Sequence, residues 1–169
     1  CRLRGKQVRT MKQELAAALS GMLCGSTIQE QSEKLLACNE KTAQYGLTLT
    51  PLQAQALTVT RAEALSKAGR IELGDGITEK LILAFCDSPY LSGENYEEVL
   101  HELLECFYLF KNETADCIGD DALLRFLRKQ FDGPCGGSVR LLTEDALPNL
   151  ARKVGRMQTK AFSLEKGSV

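Results

Sequence analysis

Residues 94–111 read ENYEEVLHELLECFYLFK. Within them Tyr96, Val99, Leu100, Leu103, Phe107 and Phe110 recur at i, i+3, i+4, i+7, i+11 and i+14. That spacing follows the 3.6-residue period and draws one apolar face down a single helix. Glu94, Glu97, Glu98, Glu102 and Glu105 fall on the other side, the solvated face of an amphipathic helix. A face carrying three aromatic rings needs further helices to cover it, and the flanking sequence supplies them.

Downstream, Asp120 is placed to cap a helix through Phe131 that carries Leu123, Leu124 and Leu127 inward. After the Gly133-Pro134-Cys135-Gly136-Gly137 loop, a short segment leads to a last helix with Leu147, Leu150 and Val154 inward and Pro148 in its first turn. Upstream, Thr27 and Glu30 form a capping box for a helix to about Thr42, on the stripe Ile28, Leu35 and Leu36, with Gly46 at its exit. Thr50-Pro51-Leu52-Gln53 is a second start signature, for a helix to Ala68 that stops at Gly69. Arg70 to Leu73 is a very short extended piece, Gly74-Asp75-Gly76 a turn, and Ile77 to Cys86 a short apolar helix ended by Asp87-Ser88-Pro89. No repeat of 20–50 residues is present. The fold class is all-α, a single compact domain of six to eight helices.

The 169 residues suit one domain, which buries roughly 70% of the surface of its unfolded chain. With 44% hydrophobic and 25% charged residues the composition is that of an ordinary globular protein. The longest apolar run, Leu81 to Cys86, is far shorter than the ~18 residues of a membrane-spanning helix.

A net charge of −1 conceals a segregated layout. Residues 1–12 hold five basic residues and no acid, and residues 152–169 hold five more against Glu165. The remaining 11 basic and 21 acidic residues leave a body near −10. Residues 94–121 alone carry nine acids and one lysine. Such a body repels phosphate backbones, and the basic ends lack the aromatics that stack bases, so nucleic acid is disfavoured as a partner. The layout divides into a basic extension (1–12, non-native or disordered), a helical domain (13–155) and a disordered basic tail (156–169). Leu15 to Cys24 after the basic start also has the layout of a signal peptide. Glu14, Ser20 and Gly21 interrupt it, and Leu15, Leu19, Met22 and Leu23 form a helical stripe instead.

The seven cysteines, at 1, 24, 38, 86, 106, 117 and 135, include no Cys-x-x-Cys pair. An odd, irregular set is a poor disulfide or zinc framework and points to the reducing cytoplasm.

Glu98-Val99-Leu100-His101 resembles half of a di-iron site, which needs two such units, and His101 is the only histidine. The same shortage opposes triads and histidine-based zinc sites, so neither a catalytic residue, a metal nor a cofactor is assigned. His101, flanked one turn away by Glu97 and Glu105, reads as a surface imidazole whose protonated form they favour. Glu97, Glu98, His101, Glu102 and Glu105 then make an acidic surface that can meet a basic partner. Gly74-Asp75-Gly76 and Gly136-Gly137-Ser138 lack the rest of a phosphate-binding fingerprint and read as turns. Cys135 in its glycine loop is the thiol expected to be exposed. Arg61, between Leu57 and Leu65 on an apolar face, needs a partner, and Glu40 is the expected one in a structural ion pair. Its alternative is an anion site at Arg61. Ser88, Tyr90 and Asn112 supply hydroxyl and amide groups for a small-molecule pocket near the Asp87–Tyr90 turn.

Several blocks recur in order: Asn39-Glu40-Lys41-Thr42 with Tyr45-Gly46-Leu47, Arg70-Ile71-Glu72-Leu73-Gly74, Phe85 to Tyr90, Phe107 to Glu113, Phe131-Asp132-Gly133 and Gly137-Ser138. Over residues 28–154 they resemble an uncharacterised family of small bacterial proteins known only as a domain of unknown function. The resemblance implies a small helical cytoplasmic protein and carries no activity with it. The reading favours a non-enzymatic protein that engages a protein partner, or a second copy of itself, through its acidic or aromatic surface. Its alternative is a small-molecule binder or small enzyme with a pocket at the Asp87–Tyr90 turn.

Overall fold

A computed structural model describes residues 28–72 and 76–167. The basic start, the Leu15–Cys24 stripe, the Thr27 cap and the Leu73-Gly74-Asp75 part of the expected extended piece and turn lie outside those residues. The described residues are all-α, with six helices of eight or more residues and no strand. They are α1 (Ile28–Ala37), α2 (Pro51–Lys67), α3 (Thr78–Phe85), α4 (Tyr96–Glu113), α5 (Asp120–Asp132) and α6 (Leu147–Lys166). None is long and apolar enough to cross a membrane. The chain divides into two units, one ending at Glu105 within α4 and the other starting at Cys106.

In the first unit α1 packs against α2, and both touch α3. The expected single helix to Thr42 breaks at Cys38 and resumes as Asn39–Thr42. Just past the break, the side-chain amide of Asn39 both donates to and accepts from the backbone of Leu49, each at 2.9 Å. Thr42 adds a buried bond from its hydroxyl to the Leu47 carbonyl at 2.6 Å. Ile28 is exposed and Leu36 half-buried, so Ser32, Leu35 and Cys38 form the inner stripe instead.

The α2 start forms as its sequence specifies: Gln53 N–H donates to Thr50 Oγ1 at 3.2 Å and Thr50 N–H donates back to Gln53 Oε1 at 2.9 Å. At its far end Gly69 takes φ +63°, while Arg70 N–H reaches the Leu65 carbonyl and Gly69 N–H that of Ser66. This is the Schellman stop that a left-handed glycine permits. Arg70 to Glu72 follow as non-helical chain without a ladder partner.

In the second unit Phe107, Phe110, Leu123, Leu127, Phe131 and Leu142 are fully buried. Each such side chain contributes roughly 1.5–3 kcal/mol relative to exposure. Gly119, not Asp120, is the residue that caps α5, and Asp120 is the first helical residue. Ser138 caps a short helix, Val139–Leu141, that passes through a π turn (Leu142–Ala146) into α6. Pro148 sits in the first turn of α6, directly after the π turn, so the bond that its missing N–H cannot make falls where the helical ladder already changes register. Leu147 is buried, with Leu150 and Val154 half-buried. The segment from residue 156, expected as a disordered tail, continues as helix to Lys166 with exposed side chains through Leu164.

Candidate functional site

The acidic face of α4 is held at two points against α2. Gln53 Nε2 donates to Glu97 Oε2 at 2.9 Å, and Thr60 Oγ1 lies 2.7 Å from His101 Nδ1. His101 Nε2 is 3.8 Å from Glu97 Oε1, a loose pairing that counts as ionic only when the ring is protonated. Glu97 and His101 are therefore half-buried and engaged, whereas Glu98, Glu102 and Glu105 are exposed. None of those three pairs with a described residue. Their i, i+4, i+7 spacing lines the carboxylates up along the helix.

Arg61 is buried as expected, but its partner is Glu72 and not Glu40. The Nη2–Oε2 distance is 3.1 Å, with the side chains 6% and 19% exposed. Glu40 lies exposed on the Asn39–Thr42 helix. Glu72 comes from the non-helical stretch after α2, a region whose path helical periodicity does not encode.

Of the polar groups expected near the Asp87–Tyr90 turn, Ser88 and Tyr90 lie in the first unit. Ser88 is buried and its hydroxyl accepts from Tyr90 N–H at 3.4 Å. Tyr90 is 41% exposed, and its carbonyl accepts from Asn95 Nδ2 at 3.0 Å. Asn112 is an exposed residue of the second unit.

The thiols also depart from expectation. Cys135 is buried, and burial pushes its pKa upward. Among the described cysteines the exposed one is Cys117, whose sulfur accepts from Gln158 Nε2 at 2.8 Å. All five described cysteines are free.

The second unit holds a cleft to which the expected tail contributes Arg156. A cleft of about 310 Å³ opens between α5 and α6. Phe126 and Gln130 form one wall, and Asn149, Leu150, Lys153 and Arg156 form the other. Ala146 and Arg152 complete the lining among the described residues, which include no carboxylate. Arg152 is fixed by its own helix, donating to Asn149 Oδ1 at 2.7 Å and to the Pro148 carbonyl at 3.2 Å. A wider hollow of about 850 Å³ runs on past Gly155 and Lys160, but its described lining comes from α6 alone. A signal for the cleft was present in sequence: Leu150, Lys153 and Arg156 fall at helical spacing after Pro148.

The order and spacing of these elements agree with a family model covering residues 34–160, described as a family of unknown function, DUF6323. The chain belongs to this family. The matched span runs from α1 into α6 and includes both the α4 carboxylates and the α5–α6 cleft. No curated protein and no solved structure matches the chain.

Proposed function

We propose that this DUF6323 member is a non-enzymatic helical binding protein, bacterial and cytoplasmic, that engages a basic surface of another protein through the carboxylate row of α4. One observation carries the reading: Glu98, Glu102 and Glu105 stand exposed in line, with no cation paired to them among the described residues. Like charges one turn apart cost a helix about 0.2–0.5 kcal/mol per pair. Opposite charges one turn apart are paired at Arg128 with Asp132 and at Arg140 with Glu144. An uncompensated row fits a surface whose counter-charge arrives with a partner. The five free thiols support a reducing compartment.

Carbodiimide cross-linking in extract of the native cell, read by mass spectrometry, should join Glu98, Glu102 or Glu105 to lysines of one partner protein. The yield should fall several-fold in the E98Q/E102Q/E105Q variant and at high salt. Cross-links that survive the triple substitution, or that fail to converge on one partner, overturn the reading. Convergence on lysines of a second copy of this chain would make the partner the protein itself.

A further inference from the structure

We propose that the α5–α6 cleft binds a small organic oxyanion, a phosphate monoester or carboxylate carrying an apolar group. The inference is independent of the role proposed for α4.

Three cations converge on one cleft, and no carboxylate lies among its described lining residues. Lys153 and Arg156 make no ion pair or hydrogen bond with a described residue, so their charges are uncompensated. Arg152 and Arg156 are one helical turn apart, a like-charge spacing that a bound anion relieves. The side chain of Arg152 is already ordered by Asn149 and the Pro148 carbonyl, which lowers the entropy lost when a ligand docks. Guanidinium groups suit planar or tetrahedral oxyanions because their donors form a fixed fork.

The remaining lining selects for more than charge. Phe126 and Leu150 give an apolar wall on each side, and Gln130 and Asn149 place amides beside them. The side chain of Gln130 makes no hydrogen bond with a described residue. The cleft holds the volume of roughly ten waters, too small for a folded partner and at the lower end of ligand sites. Apolar side chains on both walls and a cationic rim, uncompensated among the described residues, therefore specify a compact anion with an apolar body.

Isothermal titration of the full chain with phenyl phosphate, benzoate and inorganic phosphate tests this directly. Phenyl phosphate or benzoate should saturate at one site per chain and bind at least fivefold more tightly than inorganic phosphate. Whichever of the two binds more tightly identifies the oxyanion. The K153Q/R156Q variant, altered at two exposed positions, should lose at least tenfold in affinity with an unchanged helical circular dichroism spectrum. Lys41→Gln, a charge loss in the other unit, should leave the affinity as it was. Absence of saturable binding overturns the proposal, as does affinity unaffected by K153Q/R156Q. A single-stranded oligonucleotide that displaces phenyl phosphate with a steep salt dependence also overturns it, by making the face a nucleic-acid surface.

Discussion

The guanidinium of Arg61 donates to Glu72 at 3.1 Å, and the backbone of Gly76 lies so near that a Cβ there would sit 2.4 Å from Arg61 Cζ. A buried cation is thus held between a carboxylate eleven residues on and a glycine fifteen residues on. Gly76 has φ +75°, so a side chain at that position meets both backbone strain and the guanidinium.

Gly76→Ala should therefore cost more than Gly46→Ala. Gly46 has a similar φ of +73° but open space around it, and it isolates the left-handed cost of about 1–2 kcal/mol. The excess at Gly76 should disappear in an Arg61→Ala background, where the obstructing group is gone. Urea midpoints of the four variants and their parents read this; equal costs in both backgrounds refute the close approach.

Lys111 plays the corresponding role in the second unit. Its ammonium is buried and reaches the Ile118 carbonyl at 2.9 Å, Asp120 Oδ1 at 2.8 Å and Asp116 Oδ1 at 3.5 Å. These bonds span a turn in which Ala115 and Asp116 adopt φ +50° and +57°. Lys111→Met leaves the Ile118 carbonyl without this donor and should cost about 1–3 kcal/mol. Ala115→Gly should instead raise stability by about 0.5–1 kcal/mol, the left-handed strain relieved minus the extra chain entropy of glycine. An Lys111→Met variant as stable as one at the exposed Lys129 would show that the turn does not depend on this ammonium.

Thiol labelling separates the cysteines by burial. Of the five described cysteines, Cys117 should react first with a maleimide under native conditions, Cys86 more slowly, and Cys38, Cys106 and Cys135 only on unfolding. Peptide mapping after a timed pulse checks the order. Early labelling of Cys135 would contradict its buried position.

Alkaline pH should unfold the protein by way of the same buried groups. Burial pushes Cys106 and Tyr96 up to about 12, and raises Cys38 and Cys135 as well. In each case folding favours the neutral form, so the folded value lies above the ordinary 9.0 for a thiol and 10.0 for a phenol. Their contribution is complete below those ordinary values and is lost as pH rises through the folded ones. Urea midpoints should stay level with respect to these groups up to about pH 8 and fall from about pH 9. Cys106→Ala should flatten that fall. Parallel curves for it and the parent from pH 9 to 11 would exclude Cys106 as a contributor.

What the sequence by itself determined is local or periodic. The α4 face was legible because a 3.6-residue repeat names its buried positions: Tyr96, Leu100, Leu103, Phe107 and Phe110 are all buried. The α2 start was legible because Thr50, Pro51 and Gln53 supply its capping bonds within one turn. Burial of Arg61 followed from its place between Leu57 and Leu65, and the exposed carboxylates followed from the side of α4 on which they fall. Only the tertiary structure decided who meets whom. Glu72 instead of Glu40 reaches Arg61, Asn39 clasps the backbone of Leu49, and Phe126 faces a cleft shared with Lys153 and Arg156. The physical reason is that a partner's distance depends on the path of the intervening chain. Periodicity fixes which side of a helix a residue occupies, and says nothing of which other element arrives there.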